Sequence, residues 1–257
     1  MGQTPSLPQP NTPLLVIGAG LPRTGTSSLS LALSTLLHGP VYHGGTQATL
    51  GPEIEIRSWI TLLSAWPSNR TLTTRILKER LTGYAAVTDS PCNGLVEELV
   101  DLYPDAVVIC TIRDPDAWVE SMATVANAAT LSFLRVVLFW VPTMRWFPQY
   151  IVQLRRQWVT LYGRPEPATR WHWDRHVEYL KRVVPEERLV WYDVREGWGP
   201  LCKALGKEVP EQEFPRVNDG KAIEELARRM ILRGLGRWAL VLMSVGVGVA
   251  GWWMARS

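Results

Sequence analysis

Cysteine and histidine are scarce in this chain, which has three cysteines and four histidines among 257 residues. Cys92, Cys110 and Cys202 are odd in number and widely spaced, so the sequence predicts neither a disulfide framework nor a zinc site. His172 and His176 are four residues apart, but the H-E-x-x-H glutamate and a third ligand are both lacking, so no metal is predicted. A secretory signal is lacking as well, and we therefore expect the domain to lie in a reducing compartment.

The chain also has little net charge, +3, and the excess lies near one end. From Arg216 onward there are seven basic and three acidic residues, which leaves the rest of the chain at −1. A protein that binds nucleic acid needs a basic face on its folded domain. The sequence therefore predicts no nucleic-acid partner.

Residues 1–13, MGQTPSLPQPNTP, are polar and rich in proline, and we interpret them as a flexible leader. The first six of these residues also match the N-myristoylation pattern, which is short enough to occur often by chance. We expect the domain itself over residues 14–220, followed by residues 221–257 as a basic linker and a C-terminal membrane anchor.

The anchor is predicted from an uncharged run, WALVLMSVGVGVAGWWM, at residues 238–254. This run is at the short end of the ~17–25 residues that span a bilayer, tryptophans lie at both of its ends, and arginines precede it. A helix buried in a core would show a polar face, and this segment has none. We therefore expect a tail anchor with a cytosolic domain, at the membrane of the endoplasmic reticulum.

Apolar strands alternate with segments of helical length throughout the predicted domain. Strands are predicted at residues 14–19, 41–43, 84–89, 106–112 and 188–193, and helices at residues 27–37, 54–80, 92–102 and 116–128. The run AVVICTI at 106–112 is typical of a strand that is buried on both faces of a parallel sheet. The alternation predicts an α/β fold with a doubly wound parallel sheet and a C-terminal hydrophobic helix, with ligands at the carboxyl ends of the strands.

Residues 131–149, LSFLRVVLFWVPTMRWFPQ, are apolar and aromatic but are interrupted by two arginines and two prolines. These interruptions argue against a membrane span. We interpret the segment as a lid or a wall of a substrate pocket that could touch the membrane. An insertion that packs on the core is an equal alternative.

The segment GLPRTGTSS, residues 20–28, joins the first predicted strand to the first predicted helix. A glycine turn before a helix favours a phosphate, because free backbone N–H groups and the helix dipole attract anions. A dinucleotide loop is not predicted, since Arg23 stands at the third glycine of G-x-G-x-x-G. A nucleoside triphosphate loop is not predicted either, since Thr26 replaces its lysine.

The same loop, PRTGTSS at residues 22–28, resembles the 5′-phosphosulfate loop of sulfotransferases. A second motif supports the resemblance: RDPDAWVES follows the strand at 106–112 and places Arg113 and Ser121 eight positions apart. The resemblance is to the fungal and invertebrate branch of P-loop-like sulfotransferases and extends over residues 14–218. It implies transfer of a sulfuryl group from 3′-phosphoadenosine 5′-phosphosulfate (PAPS) to a hydroxyl of a small, apolar acceptor.

The resemblance also implies which residues bind the cofactor. Arg113 and Ser121 would bind its 3′-phosphate, and Tyr192 would lie either near the adenine or in the core. Arg23 would in addition stabilise charge on the bridging oxygen during transfer, which makes it catalytic. The residues implied for the 5′-phosphosulfate are Arg23, Thr24, Gly25, Thr26, Ser27 and Ser28.

The general base is the point at which this sequence departs from its relatives. Cytosolic sulfotransferases carry T-H-L-P after the third strand, with the histidine as base, whereas residues 88–91 read T-D-S-P. Asp89 can act as the base if burial raises its pKa, or it can cap the next helix. His43, after the second strand, is the alternative base, an acceptor-binding group or a turn histidine. The family's R-K-G-x-x-G-x-W segment, which closes over the 3′-phosphate, is missing, and residues 218–221 are its nearest equivalent.

Two other functions stay open at this point. One is a membrane-bound nucleotide-binding protein without catalysis, which would bind nucleotide even after the loss of Asp89. The other is an enzyme of the same fold that catalyses a non-sulfuryl reaction in a secondary-metabolite pathway. That enzyme would turn over without a sulfate donor.

Overall fold

The computed structural model describes residues 4–164, 167–217 and 219–256. Residues 1–3 of the myristoylation pattern, residue 218 of the segment nearest to the 3′-phosphate loop, and residue 257 of the predicted anchor lie outside the described residues.

Five parallel strands form a sheet in the order β2-β3-β1-β4-β5. The strands are β1 (Val16–Gly18), β2 (Val41–His43), β3 (Ala86–Thr88), β4 (Val107–Thr111) and β5 (Leu189–Tyr192). Ile17 at the centre pairs with Val87 of β3 on one side and with Val108 of β4 on the other. The direction of winding therefore reverses at β1, which confirms the predicted doubly wound parallel sheet.

The described residues contain more helices than the sequence predicts. They are α1 (Thr26–Leu37), α2 (Gly44–Leu50), α3 (Glu53–Ala65), α4 (Arg70–Leu81), α5 (Val96–Leu102), α6 (Pro115–Ala129), α7 (Leu134–Val137), α8 (Phe147–Tyr162), α9 (Arg170–Val183), α10 (Trp198–Leu205) and α11 (Asp219–Met254). The helical material predicted at 54–80 forms two helices, α3 and α4, and the side chain of Asn69 accepts the Leu72 N–H and caps the second. The helix predicted from Cys92 begins instead with a 3₁₀ turn, Cys92–Gly94.

The hydrophobic core lies in two layers, one on each face of the sheet. Ile17 of β1 belongs to the layer that contains side chains of α3, α4, α5 and α9. Val16, its neighbour in the chain, belongs to the layer formed with α1 and α10. Successive strand side chains point to opposite faces, so each strand contributes to both layers.

The leader is held against the domain in the part that the structure describes. The Ser6 carbonyl accepts hydrogen bonds from Gln47 Nε2 at 2.7 Å and from the Tyr84 hydroxyl at 3.0 Å. The Gln9 N–H donates to the Gly83 carbonyl at 2.8 Å. These contacts bind the backbone of Ser6 and Gln9 to the domain, and flexibility of residues 1–13 stays a prediction.

The basic linker expected at the start of residues 221–257 is helical and belongs to the domain. α11 runs without interruption from Asp219 to Met254. Near its start, Leu226 and Met230 pack against Leu134, Leu138 and Met144. Its span Gly220–Met254 is long and apolar enough to cross a membrane, and little of its apolar window is buried. The sequence gives no clear sign of this packing, because the apolar residues at 219–237 are dispersed among charged ones.

Candidate active site

The loop between β1 and α1 has an unusual backbone that its sequence explains. Gly25 has a φ of 94°, and a Cβ atom there would lie 2.7 Å from Val194 Cγ2, so only glycine fits. Arg23 is also left-handed, with a φ of 72°. Gly25 is the N-cap of α1 and caps it with no side chain. The first N–H groups of a helix have no intrahelical partners, so this end of α1 can bind an anion.

The Thr24 hydroxyl supports the loop from within. It donates to the Leu21 carbonyl at 2.6 Å and lies 2.5 Å from the Thr111 hydroxyl at the end of β4. Gly20 lies against Thr111 as well, since an added Cβ would lie 1.9 Å from Thr111 Oγ1. The sequence analysis does not identify Thr111, and its position two residues before the R-D-P motif is the signal that could have done so.

Arg23 joins the two sequence motifs into one cluster. Its Nε donates to Ser121 Oγ at 3.0 Å, and its backbone carbonyl accepts a hydrogen bond from Arg113 Nη1 at 3.0 Å. Arg23 Nη1 is buried and has no hydrogen-bond partner within the part of the chain that the structure describes. A buried cationic donor without a partner is unfavourable, and an anionic ligand would satisfy it.

Two side chains from distant helices hold the loop in place. Trp118 Nε1 donates to the Pro22 carbonyl at 2.9 Å. His176 Nε2 lies 2.7 Å from the Ala19 carbonyl, and the Tyr162 hydroxyl lies 2.9 Å from its Nδ1. A carbonyl only accepts, so Nε2 carries the proton of the neutral ring and Nδ1 accepts from Tyr162. Burial lowers the pKa of His176 to about 4, which keeps the ring neutral.

The two histidines considered as a metal pair thus have hydrogen-bond partners in the protein. His172 Nδ1 accepts the Thr169 N–H at 3.2 Å and caps α9. Across the described residues, no group of three His, Cys, Asp or Glu side chains is placed to hold a metal ion.

Asp89 and His43 meet at the carboxyl ends of two neighbouring strands. His43 ends β2 and pairs in register with Thr88, the residue before Asp89. His43 Nε2 lies 3.7 Å from Asp89 Oδ2, and the Thr26 hydroxyl donates to Asp89 Oδ1 at 3.4 Å. Both side chains are buried. The side chain of Asp89 therefore faces His43 and the start of α1, and the site lies at the predicted edge of the sheet.

The hydrogen bonds of His43 determine which of its nitrogens carries the proton. Its Nδ1 accepts the Thr46 N–H at 3.3 Å and lies 3.1 Å from the Thr46 hydroxyl. A backbone N–H can only donate, so Nδ1 of the neutral ring is unprotonated and Nε2 carries the proton. Nε2 lies 3.3 Å from the Ser27 hydroxyl and 3.4 Å from the Thr26 hydroxyl. His43 thus directs an N–H group towards Asp89 and the first turn of α1.

A cavity of about 740 Å³ adjoins these residues. Six predicted site residues line its polar end: Arg23, Thr26, Ser27, His43, Asp89 and Ser121. The apolar end is lined by side chains from the segment predicted as a lid or wall and from α11, among them Leu134, Leu138, Met144, Leu226 and Met230. The segment at 131–149 therefore forms a wall of this cavity. The contribution of α11 is not predicted by the sequence, whose charged residues at 221–237 are typical of a linker.

Besides Thr24 and Gly25, three predicted cofactor residues are not among those that line the cavity: Ser28, Arg113 and Tyr192. Ser28 Oγ accepts the Val217 N–H at 3.0 Å and ties α1 to the segment before α11. Tyr192 is fully buried, packs edge-on against Phe214, and donates to the Gly197 carbonyl at 2.7 Å. The Arg113 guanidinium donates a hydrogen bond to the backbone carbonyl of Arg23 in the loop before α1. Contacts of Tyr192 and Arg113 with a nucleotide stay predictions.

Known proteins similar to this chain include members of one family. A family model described as a sulfotransferase domain matches residues 15–223. The "Ava biosynthesis cluster protein M" of Aspergillus versicolor is 29% identical over 261 residues, which cover 94% of this chain and 96% of that protein. Among solved structures, sulfotransferase STF9 from Mycobacterium avium is 14% identical with a TM-score of 0.40, and the match covers 87% of this chain and 69% of that one.

Proposed function

The chain belongs to the sulfotransferase family, and we propose that it transfers a sulfuryl group from PAPS to a hydroxyl group of a small apolar molecule. The observation that carries this proposal is the cluster of Arg23, Arg113 and Ser121 near the N-terminus of α1. It presents a buried cationic N–H, without a partner among the residues that the structure describes, beside a helix N-terminus, and this environment favours a strongly anionic ligand.

The residues present fit such a cofactor. Arg23 and the first-turn N–H groups of α1 would hold the 5′-phosphosulfate, together with the hydroxyls of Thr26 and Ser27. Arg113 and Ser121 would hold the 3′-phosphate, and the Arg23–Ser121 hydrogen bond would couple the two ends of the site. When bound, PAPS supplies the sulfuryl group, and its bridging oxygen keeps the electron pair of the broken sulfur–oxygen bond. Arg23 would stabilise the negative charge that develops there.

Asp89 is the general base in this proposal, and His43 is a positioning residue. The neutral His43 ring has its proton on Nε2 and its Nδ1 occupied by the Thr46 amide, so neither nitrogen is free to take a proton from the acceptor. The Asp89 carboxylate can accept that proton as the acceptor oxygen attacks sulfur. An N–H from His43 and an O–H from Thr26 would hold the carboxylate in a fixed orientation.

The apolar walls of the cavity favour a small apolar acceptor over a peptide or a polysaccharide. The Aspergillus relative is named as a biosynthesis cluster protein, which favours an acceptor from secondary metabolism.

Attachment to a membrane through α11 is also part of the proposal. The helix is long and apolar enough, and most of residues 239–254 are exposed. Arg233 and Arg237 precede the apolar run, and by the positive-inside rule they support a domain on the cytosolic side. The endoplasmic reticulum stays the expected membrane.

The test is transfer of a radioactive sulfuryl group from PAPS to a panel of lipophilic alcohols by the purified full chain in detergent. We expect a labelled sulfate ester that requires both PAPS and Asp89. Nucleotide binding without any ester would favour the non-catalytic protein. Conversion of an acceptor without a sulfate donor would favour a different reaction on the same fold.

A further inference from the structure

The apolar end of the cavity is closed by a wall one helix thick. Leu134 and Leu138 lie on the inner side of the α7 segment and pack against Leu226 and Met230 of α11. The outer side of the same segment carries four exposed apolar residues. We name this set the apolar patch: Phe133, Val136, Phe139 and Trp140.

The apolar patch is fixed to α11 at the level where the uncharged run of that helix begins. Trp238 Nε1 donates to the Val136 carbonyl at 2.8 Å, and the Trp140 and Trp238 rings meet edge to face at 5.9 Å. Arg237 Nη1 donates to the Trp140 carbonyl at 2.5 Å. Gly234 permits this approach, since a Cβ atom there would lie 2.3 Å from the Val137 carbonyl oxygen.

The helix leaves no flexible linker between the cavity and the membrane. Met230, which lines the cavity, and Trp238, which begins the uncharged run, lie on one continuous helix. Eight residues separate them, a rise of about 12 Å. The uncharged run of 17 residues extends about 26 Å, less than the roughly 30 Å of a hydrocarbon core. A span this short draws the adjoining domain surface towards the bilayer.

The residues around the apolar patch suit the boundary between lipid tails and headgroups. Trp140 and Trp238 are aromatic side chains of the type that concentrates at this boundary. Arg135, Arg233 and Arg237 are exposed beside them, and long cationic side chains can reach the headgroups while their stems stay in apolar surroundings. The occupant of the apolar patch is thus a lipid surface, continuous with the one that α11 crosses.

From this arrangement we infer that the acceptor is a lipophilic alcohol dissolved in the bilayer, which enters the cavity from the membrane past the α7 segment. The wall at this point is one helix thick, with Leu134 and Leu138 lining the cavity and Val136 exposed on the outer side. The inference rests on the proposed function for the hydroxyl group of the acceptor. The membrane route itself rests on the packing of α7 and α11.

The test uses the full chain in phosphatidylcholine vesicles that contain a long-chain primary alcohol with a diazirine at its far end. Irradiation attaches the alcohol to nearby residues without any need for sulfuryl transfer. We expect attachment to the peptides that contain residues 131–147 and 220–231. Adding vesicles without the alcohol lowers the mole fraction of the alcohol in the lipid, while its total concentration in the sample stays constant. The yield of attachment should fall in proportion to that mole fraction.

A matched pair of variants isolates the apolar patch. Val136 and Val209 are both 60% exposed, and only Val136 lies in the apolar patch. Val136→Asp should lower the yield by about five-fold, the effect of a charge placed at the membrane boundary. Val209→Asp should leave the yield unchanged.

Equal yields from the two variants would overturn the inference. A yield that does not change when lipid is added would overturn it as well. Failure of the proposed function gives a different result: no alcohol is sulfated, although the diazirine still attaches to the cavity wall. Efficient sulfation of a short water-soluble alcohol, with no attachment of the long one, would leave the proposed function standing and refute the membrane route.

Discussion

His43 Nε2 lies 3.7 Å from Asp89 Oδ2, while Nδ1 on the other side of the same ring accepts the Thr46 amide. The ring is therefore held between a helix terminus, which fixes its tautomer, and a carboxylate, towards which its proton points. The sequence alone left both residues open as the base. The geometry favours Asp89, because the carboxylate retains lone pairs that can face an acceptor.

Replacing Asp89 with asparagine keeps the shape of the side chain and removes its basicity. We expect Asp89→Asn to lower kcat by ~10²–10⁴-fold, the usual contribution of a general base, and to leave nucleotide affinity unchanged. His43→Gln should have a smaller effect, since glutamine can still donate a hydrogen bond. Steady-state kinetics under saturating PAPS measure both values.

The opposite pattern would show that the base is His43: near-normal turnover of Asp89→Asn together with an inactive His43→Gln. Normal turnover of both variants would mean that the acceptor needs no protein base. If instead Asp89 merely capped a helix, asparagine would replace it with little effect, because Asn and Asp cap about equally well.

Nucleotide selectivity tests the assignment of Arg113. We expect the domain to bind 3′-phosphoadenosine 5′-phosphate more tightly than AMP or ATP, because Arg113 and Ser121 would contact a 3′-phosphate. Loss of a charge-assisted contact costs about 1.5–3 kcal/mol, so Arg113→Ala should weaken binding ten-fold or more by calorimetry. Arg75→Ala, on the exposed face of α4, is the control and should bind as the unchanged protein does. Equal affinity for ATP would refute the sulfotransferase proposal.

Two parts of the site could be predicted from the sequence: features that are local in the chain, and residues that parallel strands bring to the same edge of the sheet. The strand, the glycine turn and the start of α1 are local features, and parallel strands bring Thr88, Asp89 and His43 to one edge of the sheet. The support of the loop by His176 could not be predicted, because that residue is 157 positions from Ala19 and contacts it only through tertiary packing. The packing of the first part of α11 on the domain could not be predicted, because the few apolar residues at 219–237 are dispersed among charged ones.

His176 should make stability depend on pH. Its pKa is about 4 in the folded protein, and an unfolded histidine has a pKa of about 6.5. Above pH 6.5 both states are neutral and the stability is fully present. As the pH falls from 6.5 towards 4, His176 binds a proton in the unfolded chain but stays neutral in the folded protein, so stability is lost. The shift corresponds to roughly 3 kcal/mol at most.

The measurement is the midpoint of thermal unfolding between pH 7 and 5.5, a range that lies more than about one unit above the ordinary pKa values of carboxylates. His176→Gln should be less stable at pH 7 and should lose much of the decline on acidification. His38 is exposed at the end of α1, so His38→Gln serves as the control and should decline as the unchanged protein does. A decline that persists in His176→Gln would assign it to other groups.

Two truncations separate the membrane-crossing part of α11 from the part that belongs to the domain. Removing residues 238–257 should move the protein from the membrane fraction to the soluble one without unfolding it, since most of residues 239–254 are exposed. Removing residues 219–257 should destabilise the domain as well, because Leu226 and Met230 pack against Leu134, Leu138 and Met144. Deleting buried leucine or methionine side chains costs about 2–5 kcal/mol each. Fractionation and thermal unfolding distinguish the two effects, and aggregation of the shorter deletion would mean that residues 238–257 are part of the core and not an anchor.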